Sequence, residues 1–161
     1  MTMIREFFIK RWEAEQPAFR KVLAALPGDK LDYRPHERSS KAGDLAFQIA
    51  EEQRGIVELL ETLQTTFEPK PHPPVEGILK VWDDATEKVR AALANSDEEK
   101  WSQPAKFIFG GNPVWEDTLQ NMLWGYLFDM IHHRGQLSAY LRPMGGKVPS
   151  IYGPSADDQG S

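Results

Sequence analysis

Apolar residues recur at three- and four-residue spacing in four long segments of this chain. In the first they fall at Ile4, Phe7, Phe8, Trp12, Phe19, Val22, Leu23 and Leu26, the one-sided period of an amphipathic helix. Pro17 lies inside that run and predicts a kink or a split, because proline removes a helical N–H and crowds the preceding turn. Pro27 and Gly28 end it. Residues 41–63 predict a second helix, with Leu45, Ile49, Ile56, Leu59, Leu60 and Leu63 on its stripe and Asp44 or Ser40 as its N-cap. A third runs from Val75 to Asn95, with Ile78, Val81, Trp82, Ala85, Val89, Ala92 and Leu93 inward. Ser96 or Asp97 suits the cap of a short turn after it. A fourth, from about Trp115 to Arg142, repeats Leu119, Met122, Leu123, Tyr126, Leu127, Met130, Ile131, Leu137 and Leu141.

The stretches between are irregular. GDKLDYRPHERSS, residues 28–40, reads as a loop, and EPKPHPP, residues 68–74, as an extended linker. PAKFIFGGNPV, residues 104–114, predicts a short extended piece or a hairpin turning at Gly110–Gly111. Pro143 and Gly145–Gly146 stop the fourth helix, and an irregular tail follows. Four long amphipathic helices with one long crossover predict an all-α four-helix bundle forming a single domain over residues 1–161.

Composition narrows the chemistry. The chain has no cysteine, which excludes disulfides, thiolate metal sites and a thiol nucleophile of its own. That absence suits a reducing cytoplasm. The net charge is −5, with no basic run, which argues against nucleic acid as a partner. No apolar run approaches a membrane span. Charges throughout MTMIREFFIKRWEAEQ argue against a secretory leader.

The polar letters inside the apolar stripes are then the candidates for function. In DMIHHRGQLSAYLR, residues 129–142, Asp129 and His133 lie one helical turn apart, so their side chains can converge on one ion. Met122, Tyr126, Asp129, His133, Gln136 and Tyr140 share that face, whereas His132 points about 100° away. Asp129 and His132 form a competing pair three residues apart. On the second helix Gln48 lies beside the apolar stripe, where a buried amide needs hydrogen-bond partners or a metal. Glu51 and Glu52 follow at three and four residues.

IHHRGQLSAYLRPMGGKVPSIYGPSADD resembles the C-terminal motif of the DinB-like (DinB/YfiT-type) family. GDLAFQIAEE is similar to that family's first ligand-bearing helix, and LDYRPHERSSKAGDLA to the loop before it. The resemblance covers nearly the whole chain. It implies a four-helix bundle holding a divalent metal on three histidines, one from the second helix and two from the fourth. Mapped onto this chain the ligand positions are Gln48, Asp129 and His133, of which only His133 keeps the family's residue. Such a set is harder than three imidazoles and implies Mn, Fe, Ni or Zn with little selectivity.

The resemblance also implies metal-assisted chemistry on a small-molecule substrate. The class is a low-molecular-weight thiol, activated as a metal-bound thiolate for S-transfer or isomerisation. Glu52, Tyr126, His132, Arg134, Gln136 and Tyr152 are expected around the site, with Trp124 shaping the pocket and Tyr33 and His36 at its rim. Arg134 is expected to pair with a carboxylate of the second helix, and Tyr152 to cover the mouth of the site. A homodimer is expected by analogy, through aromatics such as Phe7, Phe8, Trp12 or Trp115. The alternative is a non-catalytic, stress-associated bundle or dimerisation module. In it a degenerate metal site leaves Gln48, Asp129 and His133 bonded to one another.

Overall fold

The computed structural model describes residues 2–160. Among them the elements run α1 (Thr2–Ala24), α2 (Ala42–Thr62), β1 (Gln64–Thr66), α3 (Val75–Asn95), α4 (Glu98–Trp101), β2 (Pro104–Phe109), β3 (Asn112–Thr118) and α5 (Leu119–Leu141). The fold is therefore not the all-α four-helix bundle the periodicity predicts. Five helices carry a three-stranded mixed sheet, ordered β1-β2-β3, among the described residues. The four long helices still form the body: α2 packs against α3 and α5, and α1 against the same two.

Helix α1 runs unbroken through Pro17. Its ring faces solvent, while Trp12 and Phe19, fully buried on either side, hold the flanking turns on the core. Helix α2 starts at Ala42 behind Lys41, without a side-chain cap. The carbonyls of Tyr33 and Leu31, in the preceding loop, accept the N–H groups of Ala42 and Gly43 instead. The bounds of α3 are those predicted, and Asp97 caps α4 by accepting from the Lys100 N–H.

The sheet arises where α2 stops. Leu63 takes a left-handed conformation, φ 61°, with its N–H bonded to the Leu59 carbonyl. The chain then turns directly into β1, which pairs in parallel with β2, Thr65 opposite Phe107. Three residues of strand have no period of their own; the partner strand about forty residues later makes them one. The hairpin β2–β3 turns at Gly110 and Gly111, as expected. Both have positive φ, 57° and 80°, the requirement of a tight type I′ turn. Residues 115–118, read as the start of the last helix, belong to β3; Thr118 caps α5 by accepting from the Asn121 N–H.

Register slips once in this hairpin. Ile108 faces Pro113 but Phe107 faces Trp115, so Val114 is an extra residue and a bulge. The bulge sets the two aromatic rings directly opposite each other. Trp115 in turn lies on Gly125 of α5, where a Cβ would stand 2.3 Å from its ring.

Phe8 and Trp12, expected at a contact between copies, are fully buried in the core, whereas Phe7 and Trp115 stay on the surface. No helix among the described residues is long and apolar enough to cross a membrane.

Candidate metal centre

Helices α2 and α5 lie side by side, so turns that face each other share one space. Glu52 follows Gln48 by one turn on α2 and is buried; Asp129 and His133 are one turn apart on α5. His133 Nδ1 lies 2.9 Å from Glu52 Oε1, and His133 Nε2 lies 3.7 Å from Asp129 Oδ1. Gln48 donates its amide N–H to Glu52 Oε1 at 2.9 Å. One ligand atom from each of Glu52, Asp129 and His133 lies within 4.8 Å of the other two.

The electrostatics favour holding protons or an ion here. Burial pushes the Glu52 carboxyl above its usual range, against the pull of His133 and Gln48, with the Asp129 charge adding to the rise. Burial works the other way on His133, but its hydrogen bond to Glu52 and the charges of Glu52 and Asp129 outweigh it, so its pKa is raised. Burial also pushes the Tyr126 hydroxyl far above its ordinary value, against a hydrogen bond with Thr65.

Beside this group lies a cavity of about 550 Å³. Gln48, Glu51, Glu52, Asp129 and His132 line its polar side. Phe67, Phe107, Trp115, Tyr126 and Phe128 make its aromatic wall, with Gly55, Thr66 and Gly125 between them. Two glycines make the aromatic wall possible: at Gly55 a Cβ would meet the Tyr126 ring at 2.8 Å, and Gly125 accommodates Trp115.

The structure separates the other expected residues. His132 lines the cavity, its ring 5.6 Å from that of His133. Gln136 is exposed, and Trp124 packs against Phe7 and Phe8 outside the cavity lining. Tyr33 stacks edge-on with Tyr140, and His36 accepts the Arg38 N–H within its own loop. Arg134 turns to α1, not α2: its Nη1 donates to Glu15 at 2.8 Å and its Nη2 to the Tyr152 hydroxyl at 2.6 Å. That hydroxyl donates to Glu15 at 2.9 Å, so Tyr152 closes over the Glu15–Arg134 pair and does not line the cavity.

Glu52 is the residue whose weight the sequence understated. The available signal was its position one turn beyond Gln48, on the same side of α2.

The whole described chain, residues 2–160, matches the family model for the DinB family, and the protein belongs to that family. It is similar to the uncharacterized protein YrdA of Bacillus subtilis strain 168, 24% identical over 157 residues, which cover 95% of this chain and 90% of that one. Its fold is similar to the crystal structure of a DinB-like protein from Bacillus cereus ATCC 10987. That comparison gives a TM-score of 0.73 and 22% identity, covering 91% of this chain and 97% of the other. A second DinB-like protein, YjoA of Bacillus subtilis, gives a TM-score of 0.66 and 21% identity, covering 90% and 93%. At these identities the structural likeness speaks for the fold.

Proposed function

We propose that Glu52, Asp129 and His133 hold one divalent metal ion at the polar end of an aromatic cavity, where the protein acts on a small molecule. The observation that carries this reading is the convergence of the three donors from two helices. Donors bonded to one ion at about 2.1 Å lie roughly 3–4 Å from one another, so the group needs only a small contraction to fit. Two carboxylates and an imidazole suit Zn, Fe, Mn or Ni. Gln48, whose amide N–H is engaged by Glu52, keeps its carbonyl oxygen as a weak fourth donor.

A divalent ion there would supply Lewis acidity and would acidify a bound thiol or water. This chain's residues do the rest. In the metal-free protein His133 and Glu52 share a proton across a 2.9 Å contact, and a bound ion would displace it. Tyr126, half-buried on the cavity wall, is kept neutral by its surroundings, with its hydroxyl hydrogen-bonded with Thr65. A low-molecular-weight thiol is the substrate class the family resemblance suggests, and cysteine-free composition fits a protein that borrows its thiol. Phe7, exposed on α1 and set against the half-buried Trp124, offers an aromatic surface on which a homodimer would meet.

Elemental analysis of untagged protein tests the centre. About one transition-metal ion per chain is expected, lost in His133→Ala. Protein that carries none even after incubation with zinc or manganese salts rejects the metal reading. One observation would then favour the second reading: Gln48, Glu52 and His133 already form a continuous hydrogen-bonded chain that satisfies itself without an ion.

A further inference from the structure

We propose that the cavity binds an organic cation, a small amine or quaternary ammonium carried on an apolar body. The proposal deepens the small-molecule reading by naming the ligand's charge, and it stands whether or not an ion occupies the neighbouring donors.

Three observations carry it. First, five aromatic rings line one cavity of about 550 Å³, on elements as separate as the segment after β1, the hairpin and α5. The bulge at Val114 brings Trp115 opposite Phe107, and Gly125 and Gly55 clear space for Trp115 and Tyr126. A wall that was merely hydrophobic would be served by aliphatic side chains; ring faces carry a negative quadrupole that attracts cations. Second, the charged side chains of the lining are Glu51, Glu52 and Asp129, with no lysine or arginine among them. Glu51 is paired from outside by Arg54 at 2.9 Å and Lys70 at 3.3 Å, so Asp129, exposed at the rim, is the carboxylate that faces an entering ligand. Third, Phe128 and Trp115 stand at that same exposed rim, which puts aromatic rings and a carboxylate together at the mouth. An anion entering here would meet no lysine or arginine in the lining.

A bound dication would neutralise Glu52 and Asp129 and leave the rings. Metal loading is therefore expected to weaken the preference for a cation without reversing it.

Three probes of one shape read this out: choline, its neutral isostere 3,3-dimethylbutan-1-ol, and the anion 3,3-dimethylbutanoate. Each is titrated into the full chain, metal-free and zinc-loaded, and binding is read from the ligand's own NMR signals, which need no reporter in the protein. Choline should bind about tenfold more tightly than the neutral isostere, and the anion most weakly. Trp115→Leu and Phe128→Leu, at surface positions, should each cut that preference at least about threefold while thermal melts confirm folding. Equal binding of choline and the alcohol, tightest binding of the anion, or a preference untouched by both substitutions would overturn the proposal. Protein that takes up no zinc yet prefers choline upholds it while the metal reading fails; protein that takes up zinc but shows no preference in either form does the reverse.

Discussion

Glu15 and Glu52 are both buried carboxylates that meet helix α5, and consecutive residues of that helix answer them. Arg134 answers Glu15; His133 answers Glu52. Neighbours on a helix point about 100° apart, so α5 serves two different spaces with two adjacent side chains. The first cluster is closed. Arg134 is sealed between Glu15, the Tyr152 hydroxyl and the ring of Phe19, 4.5 Å from the guanidinium. The second cluster is open. It pairs two groups that both titrate, borders a cavity, and has an exposed third carboxylate in Asp129. The difference separates a residue pair that locks the fold from one that is available for chemistry.

The largest effect should come from breaking the closed cluster. Arg134→Met leaves Glu15 buried with only the half-exposed Arg11, at 2.8 Å, and the Tyr152 hydroxyl as partners, and should cost about 3 kcal/mol in urea unfolding, the low end for a buried pair. Adding Glu15→Leu should restore much of that loss, because no orphaned charge remains. A single substitution costing under about 1 kcal/mol would erase the distinction between the clusters.

The open cluster should behave differently. His133→Ala in metal-free protein should change stability by only about 1–2 kcal/mol. Metal at a hundredfold excess over its Kd should stabilise the unsubstituted protein by about 2.7 kcal/mol, and this variant not at all. Equal metal stabilisation of both proteins would move the site elsewhere. A smaller effect belongs to Tyr152→Phe, which removes two hydrogen bonds from the closed cluster but leaves the ion pair. It should cost about 1–2 kcal/mol and leave metal binding unchanged.

The mildest effect is in pH. Glu52 and His133 both have raised pKa values, so the folded, metal-free protein binds more protons than the unfolded chain. Their contribution is fully present at low pH and is lost as pH rises, first above the usual carboxylate range and then above the usual imidazole range. Metal-free thermal unfolding should show this decline, and Glu52→Gln should flatten its lower part. Metal affinity should run the other way and strengthen with pH, since binding displaces those protons. A stability contribution from these two residues that grows with pH would contradict the geometry.

Much of this architecture was legible in the sequence. The bounds of α3 and the turn at Gly110–Gly111 follow from local signals: a clean helical period in one, paired glycines in the other. The sheet did not, because β1 exists only through its pairing with β2. The cap of α2 was misread because backbone carbonyls from the preceding loop do the work assigned to Asp44 or Ser40. Pro17 was expected to interrupt α1, but it faces solvent between buried anchors. In the site, the one-turn spacing of Asp129 and His133 already implied convergence. Gln48 was read as the third member by resemblance, whereas the carboxylate in contact with His133 is Glu52, one turn on. The partner of Arg134 could not be read at all, since Glu15 lies on another helix, 119 positions away.

A crystal structure of zinc- or manganese-soaked protein, with anomalous scattering recorded at the metal edge, tests the central claim most directly. The account predicts a single peak bonded to His133 and to the carboxylates of Glu52 and Asp129, at about 2.0–2.2 Å. No peak there, with the Glu52–His133 hydrogen bond intact in its place, would contradict it.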